Sequence, residues 1–334
     1  MSLKADSYQH WEGRSTGIWR RRYVITQYGI KLCLQSKVLK ILLALVWSSA
    51  LGLTSIYFLA GQLLSPESGI FANLMEKFPR EMATIINGAT SWILLYPEVC
   101  VEGLYRGTFF LASNAYIFAA FIAVATFIPK LIAHDLSSQA IIIYNSKALT
   151  RFDYMLGKFG IVFSILSSLW VLPIVAAWLL GSLMSPGWTF LAHSFDALLR
   201  ALGIGLLGIT SLSLAALAIS SLAKKTSTAT TFWIFAWIGT GVISGLVGLR
   251  FTWGRYISLP ETIRHASWNA FDLTSILENA QNMLPFFSVL TEPIKKDLDK
   301  ALVNQGSSQI APIIVILLFC LASTAIISLR TKPE

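Results

Sequence analysis

Glu98 and Glu102 stand one helical turn apart, a spacing that puts two carboxylates on one face, where they can hold a cation. In a loop outside the apolar runs they are expected to form a solvated face instead. His10, His134, His193 and His265 fall in different segments and build no common site. Cys33, Cys100 and Cys320 lie in three separate regions with no CxxC pair, so neither a zinc centre nor a disulfide framework is suggested. The chain has no GxxxxGK[ST] loop to cradle phosphates and no nucleophile elbow. It is therefore not expected to be an enzyme by itself, and no metal or cofactor is expected in it.

The elements that must carry any chemistry are membrane spans. Of 334 residues, 55% are hydrophobic and 13% charged, against about 25% charged in soluble domains. A spanning helix needs about 20 mostly apolar residues. Six stretches qualify, at about 41–64, 108–129, 159–181, 198–222, 230–249 and 311–329. Residues 1–40 contain no apolar core, so the first span is expected to act as an uncleaved anchor with the N-terminus inside.

Orientation follows from the distribution of Lys and Arg. With both termini cytoplasmic, the inside segments hold sixteen of the twenty-six basic residues, among them Arg20, Arg21, Arg22, Lys147 and Arg151. The longer outside segments hold nine, and Arg200 lies at a membrane edge. The net charge of +9 then reads as orientation and attraction to anionic lipid. No basic-aromatic module for nucleic acid is visible.

The spans carry no Asp, Glu, Lys or His near their middles, and the nearest charges are Asp196 and Arg200 at the outer end of the fourth. Ion-coupled carriers usually bind the driving ion on such residues. Gly241 and Gly245 form GxxxG, and Ser244 with Gly248 repeats the small-residue spacing, so this face can serve as a dimer seam or as intrachain packing.

The loops divide by polarity. Residues 1–40 form a cytoplasmic N-terminus, in which 12–38 mix Trp19, Tyr23, Ile25, Tyr28 and Ile30 with cations, the pattern of an interfacial amphipathic helix. The outer loop 65–107 repeats Ile70, Leu74, Phe78 and Met82 at helical spacing. The segment 250–310 is long and polar and is expected to form an outer helical cap. The cytoplasmic loop 130–158 contains HDLSSQAIIIYNSKALTRFDYMLGK, residues 134 to 158. Its apolar cluster Ile141, Ile142, Ile143 and Tyr144 is too short to cross and must pack on something. Thr150 and Asp153 make a capping-box variant that starts a helix at Arg151, running through Tyr154, Gly157 and Lys158 into the third span. A short helix over 135–144 then faces the cytoplasm as a docking knob.

At these residues the chain resembles type-2 ABC transporter permeases. Asp135, Tyr144, Leu149, Thr150, Arg151, Tyr154, Gly157 and Lys158 stand at matching places of the family's cytoplasmic loop, while His134 replaces an Arg and Lys147-Ala148 an Arg-Pro. The amphipathic helix, the six spans and the outer element before the last span also match. In relatives that outer element is often short and partly re-entrant, whereas 250–310 is long and polar.

The resemblance implies an all-α permease domain over 41–329. It implies a function as the transmembrane subunit of an ATP-driven exporter in the bacterial cytoplasmic membrane. A separate ATPase subunit, which holds ATP and Mg, would grip the segment 134–149, with Asp135, Ile141, Ile142, Ile143, Tyr144, Arg151, Tyr154, Gly157 and Lys158 as the coupling residues. Two copies, or this chain and a related permease, would enclose the path. The alternatives are a non-transporting membrane scaffold with an extracytoplasmic partner, and an ATP-independent channel or carrier.

Overall fold

A computed structural model describes residues 17–63, 97–138, 150–184, 188–223, 225–276 and 310–330. The described residues are helical, with no strand among them. Six helical stretches are long and apolar enough to cross a membrane: Lys37–Gly61, Glu98–Asp135, Phe152–Met184, Phe190–Leu222, Thr226–Gly248 and Ala311–Arg330. They are referred to below as spans one to six.

The chain opens with α1 (Ile18–Cys33), which turns at Leu34 into α2 (Lys37–Leu63). Span two begins as α3 (Pro97–Phe127), eleven residues before the expected start at 108. Glu98 and Glu102 therefore lie on a helix and not in the loop 65–107, the rest of which is outside the described residues. The reason is charge pairing: Glu102 meets Arg106 one turn on, so the helix can carry its polar end into the bundle.

Prolines and backbone irregularities set the breaks. At Pro129 the chain tightens into a 3-10 turn (Ile128–Lys130) and enters α4 (Ile132–Ser137). Span three is two helices, α5 (Arg151–Leu169) and α6 (Val171–Met184), joined at Trp170 with φ −125° and ψ −65°. Pro173 cannot donate to the carbonyl of Leu169, so the ladder breaks there. Span four is one long helix, α7 (Trp188–Leu222). Span five consists of α8 (Thr226–Ile234), a π-helical turn (Phe235–Gly239) and α9 (Thr240–Gly248).

The centre of the bundle is α7, which packs against α3, α5, α6 and also against α10 (Leu259–Phe271) and α11 (Ala311–Arg330). Only 11% of the apolar window of span five is buried, against 56% for span four, so span five is peripheral. Its exposed Phe235, Val242 and Leu246 suit lipid or a partner subunit.

The described part of 250–310, residues 250–276, packs against the spans. After a 3-10 turn (Thr252–Tyr256), the chain folds back along span five, and Ser244 Oγ donates to Arg255 O at 2.9 Å. Leu259 and Pro260 then line one recess with Leu212 of α7, Thr240 of α9 and Phe319 of α11. From there α10 runs outward, placing Trp268 edge-on to Phe110 of α3 at 5.4 Å. Buried Leu259, Ile263, Ala266 and Phe271 fall on one face of α10, at the helical repeat that seats an amphipathic helix in a groove. Polarity averaged over the long segment hid this face. Residues 277–309 lie outside the described residues.

Candidate functional site

The site is built where α1, α4 and α5 meet, at the end of the bundle that carries the loop between spans two and three. The helix α5 starts where the sequence places it. Thr150 Oγ1 accepts from the Asp153 N–H at 3.2 Å, and Asp153 Oδ2 accepts from the Thr150 N–H at 3.2 Å, a reciprocal cap. The second oxygen of Asp153 faces α1, where Arg22 Nε donates to Oδ1 at 2.6 Å. Arg22 also stacks on Trp19, its guanidinium carbon 4.6 Å from the ring centroid.

One turn further along α5 is a buried clip. Lys158 Nζ lies 2.7 Å from Asp135 Oδ2, and Tyr154 donates its hydroxyl to the same oxygen at 2.6 Å. Lys158 also donates to Leu131 O at 2.9 Å. Asp135 is 7% exposed, Tyr154 6% and Lys158 8%, so the carboxylate and ammonium stabilise each other out of water. The three side chains fasten α4, before the loop, to α5, after it.

Gly157 completes the junction. A β-carbon there would stand 2.8 Å from Ile25 Cγ2 and 3.0 Å from Ile25 Cβ, so only glycine lets α1 lie this close. Thr26 Oγ1 donates to Gly157 O at 3.0 Å across the same contact. The edge of α1 formed by half-buried Arg22, Ile25, Thr26 and Gly29 and by buried Cys33 is thus seated on α5, while Trp19, Tyr23 and Tyr28 are exposed.

A third brace comes from span four. Ser220 Oγ accepts from the N–H groups of Ile132 and Ala133, both at 3.0 Å, and donates to Ile128 O at 3.1 Å. It satisfies the backbone groups freed where Pro129 interrupts the helix. A cavity of about 560 Å³ remains between α1, α4 and α5, lined by Tyr28, Leu131, His134, Asp135 and Lys158 among others.

Of the residues the sequence singles out here, Asp135, Tyr154, Gly157 and Lys158 come together. Arg151 begins α5, and its side chain is outside the described residues, as are Ile141, Ile142, Ile143 and Tyr144. Sequence reasoning missed Arg22 and Ser220. Pro129 signals that a brace is needed, but not which distant hydroxyl supplies it.

At the opposite end, Asp196 Oδ2 lies 2.6 Å from Arg106 Nη2 and 2.6 Å from Arg200 Nε. Arg106 is also paired with Glu102, whose side chain stays 38% exposed, and Glu98, 71% exposed at its side chain, lies 3.7 Å from His193 Nε2. Arg200 Nη1 donates to Ala270 O at 2.6 Å, holding the end of α10. On α9, Gly248 packs against Arg255, whereas a β-carbon at Gly241 or Gly245 would meet nothing within 4 Å. Among the described residues no group of three His, Cys, Asp or Glu could hold a metal ion. No protein-family profile, curated protein or solved structure matches the chain.

Proposed function

We propose that the chain is the transmembrane permease subunit of an ATP-driven exporter of the type-2 ABC class, worked by a separate ATPase subunit that grips the loop between spans two and three. The observation that carries this reading is the buried Asp135–Tyr154–Lys158 clip. It fastens the two flanks of residues 139–149 to one another. A loop that served only as a tether would have no use for a buried ion pair at its base. One that receives force needs a stiff mount.

Displacement of the loop would enter α5 through the clip, reach α1 through Arg22–Asp153 and Thr26–Gly157, and reach α7 through Ser220. These elements would move as one block, with the breaks at Trp170 and Phe235–Gly239 as places where spans three and five can bend. The course of 252–271, back along span five and out again through α10, supports the same reading, since permeases of this class often carry a partly re-entrant element before the last span. In this reading both termini are cytoplasmic, the membrane is the bacterial inner membrane, and a second permease copy pairs with the exposed face of span five.

The test is isolation from native membranes in mild detergent. The expected result is a complex with an ATPase, whose hydrolysis is lost when the partner is stripped away. Recovery of the chain as a stable protein with no ATPase bound would sink the proposal.

A further inference from the structure

A recess of about 190 Å³ lies between spans four, five and six. Its walls include Leu212 and Ala215 of α7, Leu259 of α10, Phe319 of α11, and Trp233 and Trp237 of span five. It is on the side of span five turned away from the exposed Phe235, Val242 and Leu246. Part of the wall is the π-helical turn Phe235–Gly239, and a single π turn within a helix frequently marks a functional site.

The two indoles are held in place from behind. Phe121 of α3 stacks on Trp237 with 4.7 Å between ring centroids, and its carbonyl accepts from Trp233 Nε1 at 3.1 Å. Ser323 of α11 also lines the recess. It is 7% exposed and makes no hydrogen bond to another described residue, whereas Thr324 and Ser328 of the same helix return their hydroxyls to the carbonyls of Leu321 and Ala325, both at 2.8 Å. A buried hydroxyl without a partner is costly in apolar surroundings. Thr240, also in the wall, has given its hydroxyl to Ala236 O, and walls this apolar do not offer a water the roughly two to four partners it needs.

The complement of these walls is an apolar molecule with one hydrogen-bonding oxygen. An apolar cavity of about 150 Å³ holds one benzene, so a space of about 190 Å³ has room for one substituted ring. Fixed aromatic walls favour an aromatic guest. The acyl tail of a lipid would fill the space and leave Ser323 unpaired.

We infer that this recess binds a small single-ring aromatic alcohol, its ring against Trp233 and Trp237 and its hydroxyl on Ser323. The inference does not rest on the ATPase reading, and binding is measured on this chain alone.

The experiment is fluorine NMR of the full chain in a neutral detergent, titrated with para-fluorophenol and, in parallel, with fluorobenzene. One para-fluorophenol per chain is expected to bind saturably, and fluorobenzene to bind about three- to tenfold more weakly for want of the hydrogen bond. Ser323→Ala should weaken the alcohol by the same factor and leave fluorobenzene unchanged, so that the preference for the alcohol disappears. Ala215→Leu should block both by filling the space. An undiminished preference for the alcohol in Ser323→Ala would overturn the role of that hydroxyl and the ligand class with it. Binding indifferent to Ala215→Leu, or uptake that never saturates, would overturn the site. So would loss of binding when the chain is moved from detergent into phosphatidylcholine nanodiscs, since a lipid tail would then be the occupant.

Discussion

Lys158 Nζ lies 2.7 Å from Asp135 Oδ2, with both side chains only 10% exposed. Together with the Tyr154–Asp135 and Lys158–Leu131 hydrogen bonds, the pair closes a ring of chain around the loop 139–149, so the flanks of that loop stay in fixed register. A buried pair of this kind adds little net stability over apolar residues of the same shape, but either charge left alone is costly. Its presence here is better explained by the rigid junction it makes.

Asp135→Ala should therefore destabilise the protein by about 3–5 kcal/mol, because Lys158 stays buried without its carboxylate, facing the Leu131 carbonyl and the Tyr154 ring. Replacing both, Asp135→Leu with Lys158→Met, should return stability to within about 1–2 kcal/mol of the parent. Thermal unfolding in detergent separates the two. A double variant as unstable as the single one would show that the pair itself holds the fold. If the junction transmits force, the double variant should fold and still lose transport.

The six spans, the start of α5 at Arg151 and its capping box were legible in the sequence, since each rests on a local pattern of apolar length or turn spacing. The spatial partners were not. Arg22 reaches Asp153 across 131 residues, and nothing in residues 18–33 distinguishes that arginine from its neighbours Arg20 and Arg21. The same limit hid Arg106, whose two carboxylates come from its own helix and from span four. The helix α10 was missed for another reason: thirteen residues with one apolar face were averaged into sixty polar ones. Gly157 was marked by a resemblance in the sequence, but its physical role, the space it leaves for Ile25, needed the structure.

Gly157→Val should push α1 off α5, since Ile25 Cβ would stand 3.0 Å from the new β-carbon and cannot rotate away. The expected cost is about 1–3 kcal/mol, the usual range for overpacking. Loss of an engineered crosslink between positions 22 and 153, a neighbouring contact of the same two helices, would report the separation directly. Unchanged crosslinking would show that the helices can part slightly without undocking.

Ser220→Ala removes an oxygen that accepts from two backbone N–H groups and donates to one carbonyl. With these groups buried, the variant should lose about 1–3 kcal/mol or more. Hydrogen exchange should rise at Ile132 and Ala133 before it rises elsewhere. Uniform loss of protection would mean that Ser220 supports the whole bundle and not this junction.

The loop residues themselves provide the sharpest test of coupling. If Ile142 and Tyr144 enter a cleft on the ATPase, Ile142→Asp with Tyr144→Asp would put unpaired charge into that interface, at a cost of about 3–5 kcal/mol. That corresponds to a loss of affinity of at least about a hundredfold, so the complex should not survive purification. The clip and the brace from Ser220 are untouched by these changes, so the double variant should insert and reach the membrane at near-normal level. Arg151→Ala should have a smaller effect, about 1 kcal/mol or less, as expected for a charge at the rim of an interface. Membrane abundance, ATPase retention and transport measured on the same preparations distinguish the outcomes. A double variant that keeps the ATPase and transports normally would leave the Asp135–Lys158 junction as a structural brace with no part in coupling.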